Sequence, residues 1–180
     1  MKYIIFLILF SLSLQAWTQK PQFKLRNALV IGQLEKTEDR YSVEINVTEV
    51  FDQCGIKAKP SLNFLKYGEN PQDLSKDSLT NLLRSKGIDT YVIVSIRGYD
   101  RNYKRSNHQE GLETELGEGN IFPIYREEAT SVTFEFTFYR NGVILGSDLI
   151  KCGNVSDRDG VMKKLRKHLS KRILKKWRKG

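Results

Sequence analysis

The 180-residue sequence has few of the residues on which most enzymes and metalloproteins rely. It contains two cysteines, two histidines and four prolines. Two cysteines exclude a disulfide-dense scaffold. They lie far apart and no Cys-x-x-Cys occurs, so a His/Cys metal site has no ligand set. No Gly-x-Ser-x-Gly is present. Neither His108, in a polar stretch, nor His168, on the basic side of the last helix, sits beside a serine in a recognisable turn. Ser/His/Asp hydrolysis therefore lacks its base. Gly32 follows a strand pattern, but no second glycine follows at Rossmann or Walker spacing. Glycine and proline are too few for a collagen-like chain, and 39% hydrophobic residues are too many for a disordered one. There is no internal repeat and no low-complexity tract. No catalytic, cofactor-binding or metal-binding residue is assigned from these patterns.

The N-terminus carries the first positive signal. Met1-Lys2 precedes an uncharged, mostly apolar run from Tyr3 to Leu14, and Lys20 is the next charge. This is the layout of a secretory signal peptide, expected over 1–18. The alternative is an uncleaved anchor helix, for which the run is short, since a span needs roughly 20 apolar residues. No cysteine lies near the junction, so a lipid-anchored mature N-terminus is not expected. No later segment is long and apolar enough to span a membrane. Four alanines against 18 lysines are the bias of an AT-rich genome and point to a bacterium. The expected location is the periplasm or the exterior.

A short segment over 19–26 leads into a single domain expected over 27–180. Asn27 to Gly32 is a buried-strand pattern. Thr37-Glu38-Asp39 offers N-cap chemistry with acids at the positive end of a helix. Tyr41, Val43, Ile45 and Val47 alternate as in a strand, whereas Val43, Val47, Val50, Phe51 and Cys54 share one helical face. Length, cap and the stop at Gly55 favour helix. Ile56 to Leu65 reads as a strand kinked at Pro60, at an edge or a bulge. Ser75 to Ser78 caps a helix with core residues Leu79, Leu82 and Leu83, closed by Lys86-Gly87. Thr90 to Ile96 is nearly continuous and β-branched, so a central strand buried on both faces is expected. The 98–128 stretch reads as a long, exposed, partly mobile polar loop. Ser131 to Arg140 alternates cleanly, Asn141-Gly142 is a hairpin turn, and Val143 to Ile150 returns. Ser156 or Asp157 then caps a helix whose stripe is Val161, Met162, Leu165, Leu169, Ile173 and Trp177. The predicted fold is a mixed α/β domain, β-α-β-α-β followed by a hairpin and a helix, with about five strands.

Charge is unevenly placed. Residues 158–180 hold 11 Lys and Arg and one acid, while Lys20 to Asp157 hold 18 basic and 20 acidic residues. The net +9 therefore belongs to the last helix. The plain reading is a solvated face whose cations complement the negative helix C-terminus. The functional reading is contact with an anionic envelope partner, whether lipopolysaccharide, an anionic lipid membrane or an acidic protein, through Lys163, Lys164, Lys167, Lys171, Lys175, Lys176, Arg178 and Lys179. Nucleic acid is disfavoured by the export signal and by strands without a basic, aromatic-interleaved face. Cys54 ends the first helix and Cys152 the last strand. An oxidising compartment would let them pair, and the alternative is two small buried hydrophobes. The acidic stretch with Glu113, Glu115 and Glu118 lacks the spacing of a calcium loop. Its carboxylates leave a small hydrolase or transferase as the alternative class.

Three segments together resemble a known domain: Ala28-Leu-Val-Ile-Gly32, Leu82 to Ser95, and Val132 to Leu145 with the terminal helix. Their order is similar to an uncharacterised bacterial envelope α/β domain often carried by lipoproteins. That domain is similar in architecture to the curli-secretion lipoprotein and the TolB N-terminal domain. The resemblance implies a non-enzymatic domain that binds or scaffolds another envelope component, and it brings no catalytic residues. This chain lacks the lipidation cysteine.

Overall fold

The computed structural model describes residues 24–65, 69, 71–104, 110–118 and 122–178. The expected signal peptide lies outside them, as does Lys179. Five strands form one sheet: β1 (Asn27–Gln33), β2 (Lys57–Pro60), β3 (Thr90–Tyr99), β4 (Ser131–Arg140) and β5 (Val143–Gly153). Their spatial order is β2-β1-β3-β4-β5. β1 pairs in parallel with β2 and β3, and the other two pairings are antiparallel. This is the mixed sheet expected, with the β-branched β3 at its centre. The helices are α1 (Thr37–Gln53), α2 (Asp77–Ser85), α3 (Leu112–Gly117) and α4 (Arg158–Arg172), and α4 continues into a π-helical turn at Ile173–Trp177. Among the described residues no helix is long and apolar enough to cross a membrane.

Strand alternation assigns a core to each face of the sheet. One holds Ala28, Val30, Val92, Val94, Phe134, Phe136 and Phe138 beneath α1 and α4. The other holds Leu29, Ile31, Tyr91, Ile93 and Tyr139 beneath α2, α3 and the turns before α2. Leu25, in the short segment before β1, is already core, and its N–H donates to the Trp177 carbonyl (2.9 Å).

The ambiguous 41–54 stretch is helical because its end is built for it. Gly55 adopts φ +78°. The Gly55 N–H donates to Asp52 O and the Ile56 N–H to Phe51 O, both at 2.9 Å. This is a Schellman closure, with Ile56 and Phe51 sharing one core. α2 ends the same way at Gly87, with Ile88 bonded to Leu83. The start signals do not hold. The N-caps of α1 and α2 are Lys36 and Lys76, neither with a side-chain cap bond. Within α2, Leu83 is buried but Leu82 is 44% exposed, because adjacent residues on a helix diverge by about 100°. The 56–65 strand stops at Pro60 and turns through Ser61–Asn63. At the hairpin, Asn141 and Gly142 both have positive φ (52° and 77°), as a type I′ turn requires.

The described residues of the 98–128 stretch hold more regular and buried structure than its polarity suggests. Gly98 and Tyr99 still belong to β3, α3 lies within the stretch, and Leu112, Leu116 and Ile124 are buried. Glu115 is buried too, and accepts from the Tyr139 hydroxyl (3.4 Å).

Both sheet edges are capped by side chains. On β5, Arg172 Nη2 donates to the Leu149 carbonyl (3.2 Å), and His168 Nδ1 lies 2.9 Å from the Lys151 carbonyl. On β2, Asp52 accepts the Ala58 N–H (3.0 Å), and Pro60 has no N–H to offer.

Candidate functional site

α4 begins at Asp157, whose carboxylate accepts the Gly160 N–H (2.6 Å). This N-cap bond holds the carboxyl below the usual carboxylate range. From there Val161, Leu165, Leu169, Ile173 and Trp177 run into the core. Four-residue steps overshoot a 3.6-residue turn by about 40° each. The wider π turn, closed by Arg178 N to Ile173 O (3.0 Å), keeps Trp177 on the buried side. Trp177 packs against Phe138 (4.9 Å), Phe136 (5.3 Å) and Phe51 (6.1 Å) between ring centroids. Its indole N–H donates to Asp148 (3.1 Å).

The cations of this helix divide by residue type. Arg158 pairs with Asp39 (2.7 Å), Arg166 with Glu49 (2.6 Å) and Arg172 with Asp148 (3.1 Å). The planar guanidinium suits such fixed pairing, and these arginines clip α4 to α1 and β5. Lys163, Lys167, Lys171, Lys175 and Lys176 are exposed instead. Part of the terminal charge is therefore structural, and the exposed remainder is almost all lysine.

Some of those lysines line a cleft of about 610 Å³ between α4 and the edge of β5. Its wall includes Lys151, His168, Lys171, Arg172, Lys175 and Lys176, with Asn102 and Tyr103 on the opposite side. Among the described residues no carboxylate lines it. Lys151 Nζ donates to Asn102 Oδ1 (3.0 Å). Because His168 Nδ1 faces a carbonyl, that nitrogen carries the proton. Lys171 and Lys175 have no carboxylate partner among the described residues. An arrangement of this kind attracts anions by summed field and offers several N–H donors at close range.

No protein-family model and no curated protein matches the chain. Solved structures do align with it. A PelC dodecamer from Paraburkholderia phytofirmans aligns over 87% of this chain and 93% of its own, with 12% identity and a TM-score of 0.47. The lipoprotein GNA1162 from Neisseria meningitidis aligns over 83% of this chain and 99% of its own, with 14% identity and a TM-score of 0.39.

Of the residues predicted from sequence to meet an anionic partner, Lys171, Lys175 and Lys176 converge on the cleft. Lys163 and Lys167 are exposed elsewhere on the helix, and Lys164 is half-buried near Cys152. Arg178 reaches towards Gly55 at the end of α1. Lys151, His168, Arg172, Asn102 and Tyr103 were not among the predicted contacts. Lys151 comes from β5, Asn102 and Tyr103 follow β3, and His168 and Arg172 cap carbonyls of β5, so a count of lysines along one helix does not find them.

The Cys54–Cys152 disulfide is corrected: both cysteines are free and buried. Cys54 Sγ lies 3.8 Å from Ser170 Oγ, while Cys152 sits in β5 near Lys164, six residues earlier on α4. Six residues rise about 9 Å along a helix. Burial pushes the Cys152 thiol up to about 12, which keeps it protonated and unreactive. Nor do the acidic-loop residues form a pair: Glu113 is exposed and Glu115 buried on the other side of α3.

Proposed function

We propose that this chain is an exported, non-enzymatic domain of the bacterial cell envelope that docks on an anionic envelope surface through the cleft between β5 and α4. The observation that carries this reading is the cleft wall, with Lys151, Lys171, Lys175 and Lys176 and no lining carboxylate among the described residues. The division of labour on α4 supports it. Arg158, Arg166 and Arg172 are already paired, whereas Lys171 and Lys175 have no carboxylate partner among the described residues. The N-terminal signal pattern over 1–18 supports export.

The test uses the chain without its first 18 residues and vesicles of phosphatidylglycerol with phosphatidylcholine. Binding is expected to the anionic vesicles, not to phosphatidylcholine alone, and to fall steeply with added salt. Lys171→Glu, Lys175→Glu and Lys176→Glu together are expected to abolish it at unchanged melting temperature, since none of the three is buried. Unchanged binding by this triple variant would refute the reading.

A further inference from the structure

The basic cleft at β5 is a concavity and not one flat face of α4. Its wall comes from three separate parts of the chain: Lys151 on β5, Asn102 after β3, and Lys171 with Lys175 on α4 and the π turn that continues it. Its volume of about 610 Å³ falls in the range of small-molecule sites. A membrane surface lies across such an opening, and only a group that projects from the surface enters it.

The donors left in the wall are ammonium groups. Arg172 is committed elsewhere: Nη1 donates to both Asp148 carboxylate oxygens (3.1 and 3.2 Å) and Nη2 to the Leu149 carbonyl (3.2 Å). His168 Nδ1 is held by the Lys151 carbonyl (2.9 Å). Lys151 Nζ spends one N–H on Asn102 Oδ1 (3.0 Å), and its other N–H groups remain. Lys171 and Lys175 have no carboxylate partner among the described residues. A guanidinium fork matches a planar carboxylate, whereas ammonium groups are compact charges that can be set around a tetrahedral phosphate.

The spacing of the lysines is a second observation. Lys163, Lys167, Lys171 and Lys175 follow one another at four-residue steps, and Asp159 is the one acid after Asp157. Like charges at that spacing repel along a helix and destabilise it. At Lys171 and Lys175 an anion in the cleft relieves that repulsion, the more so the higher its charge.

Resting on the docking reading above, we infer that the cleft seats the terminal phosphate of a phosphomonoester lipid headgroup, with Lys151, Lys171 and Lys175 donating to its outer oxygens. A phosphomonoester presents three acceptor oxygens and carries a charge of about −1.5 to −2 near pH 7. A phosphodiester such as phosphatidylglycerol has carbon on both sides, one outer oxygen fewer and a lower charge. It leaves a donor unmet and the lysine repulsion less relieved.

The test compares vesicles of phosphatidic acid with vesicles of phosphatidylglycerol, each in phosphatidylcholine and brought to the same zeta potential. Binding to phosphatidic acid is expected to be about tenfold tighter, the effect of one further hydrogen bond between charged groups. Lys151→Gln and Lys171→Gln are each expected to remove that preference and to keep the weaker binding to phosphatidylglycerol. Lys163→Gln removes the same charge outside the cleft and is expected to keep the preference. Glycerol 3-phosphate, the same terminal phosphate without a surface, is expected to displace the chain only in large excess. Equal binding to the two lipids would overturn the headgroup and leave the docking reading standing, whereas binding to neither would overturn both. A preference kept by either cleft variant, or lost equally by Lys163→Gln, would place the selection outside the cleft and overturn the inference. Displacement by glycerol 3-phosphate at the concentration of the accessible lipid would make the ligand a soluble phosphate and overturn it too.

Discussion

Trp177 is the residue on which the end of α4 depends, and replacing it by alanine tests the packing account directly. The side chain is buried, meets three phenylalanines, and donates to Asp148; its carbonyl holds Leu25. Truncating a buried aromatic to alanine costs about 3–5 kcal/mol, through lost transfer energy and the cavity left behind. A value near the top is expected because the cavity is walled by rings from α1 and β4, which cannot both move inwards. Asp148 keeps Arg172, so no unpaired charge adds to the cost. Stabilities of roughly 5–15 kcal/mol are usual, so the variant loses a large share. At about 2–4 °C per kcal/mol for a domain of this size, its melting temperature should fall by about 10–15 °C. Trp177→Phe keeps one six-membered ring but loses the fused pyrrole portion with its N–H, and should fall by roughly half as much. Both are read by circular dichroism on heating and by urea unfolding. Because Trp177 seats the turn that carries Lys175 and Lys176, Trp177→Ala should also weaken binding to anionic vesicles below its melting point. A melting temperature within about 2 °C of the parent's would refute the claim that this turn is docked in the core.

Two further outcomes follow from buried and capping carboxylates. Glu44 is fully buried and accepts from Gly32 N (2.9 Å), Arg40 Nε (3.0 Å), Ser61 Oγ (2.7 Å) and Leu62 N (3.2 Å). Glu44→Ala should cost about 3–5 kcal/mol in urea unfolding, because Arg40 and three further donors lose their partner; a cost below about 1 kcal/mol would contradict it. Asp100 accepts from the Thr130 hydroxyl, Thr130 N and Ser131 N, and these bonds hold its carboxyl below the usual range. A lowered folded pKa gives stability present above the unfolded value and lost as pH falls through the folded one. Asp100→Asn should therefore flatten the acid limb of the stability–pH curve, and a carboxyl that titrates in NMR at or above about 3.9 would count against the bonds.

The regular elements are legible in the sequence because their periodicity is undisturbed. β4 reads in and out from Val132 to Tyr139, Asn141-Gly142 turns it, and every residue of the last apolar stripe is buried. Closures at Gly55 and Gly87 are legible because glycine is what a left-handed cap requires. The rest depends on partners remote in sequence. Leu112 and Leu116 do have helical spacing, but six residues amid acids are too short a window to stand out. Asp39, Glu44, Glu115, Glu135 and Asp148 read as surface and are buried. Arg158 and Arg172 neutralise Asp39 and Asp148 from across the fold. The charge of the last helix was legible, but its division into arginine clamps and exposed lysines was not, since that depends on which side chains face α1 and β5.

The capped sheet edges limit how this chain can be approached. A strand offered by a second molecule would find the carbonyls of Leu149 and Lys151 already occupied and a proline at the other border. Copies crowded together would thus meet a backbone ladder interrupted at these points, which works against fibrous stacking. Recognition at the β5 border must instead proceed by side-chain charge, which is quick to form, responsive to ionic strength and readily reversed. A contact of that kind suits temporary holding better than permanent assembly.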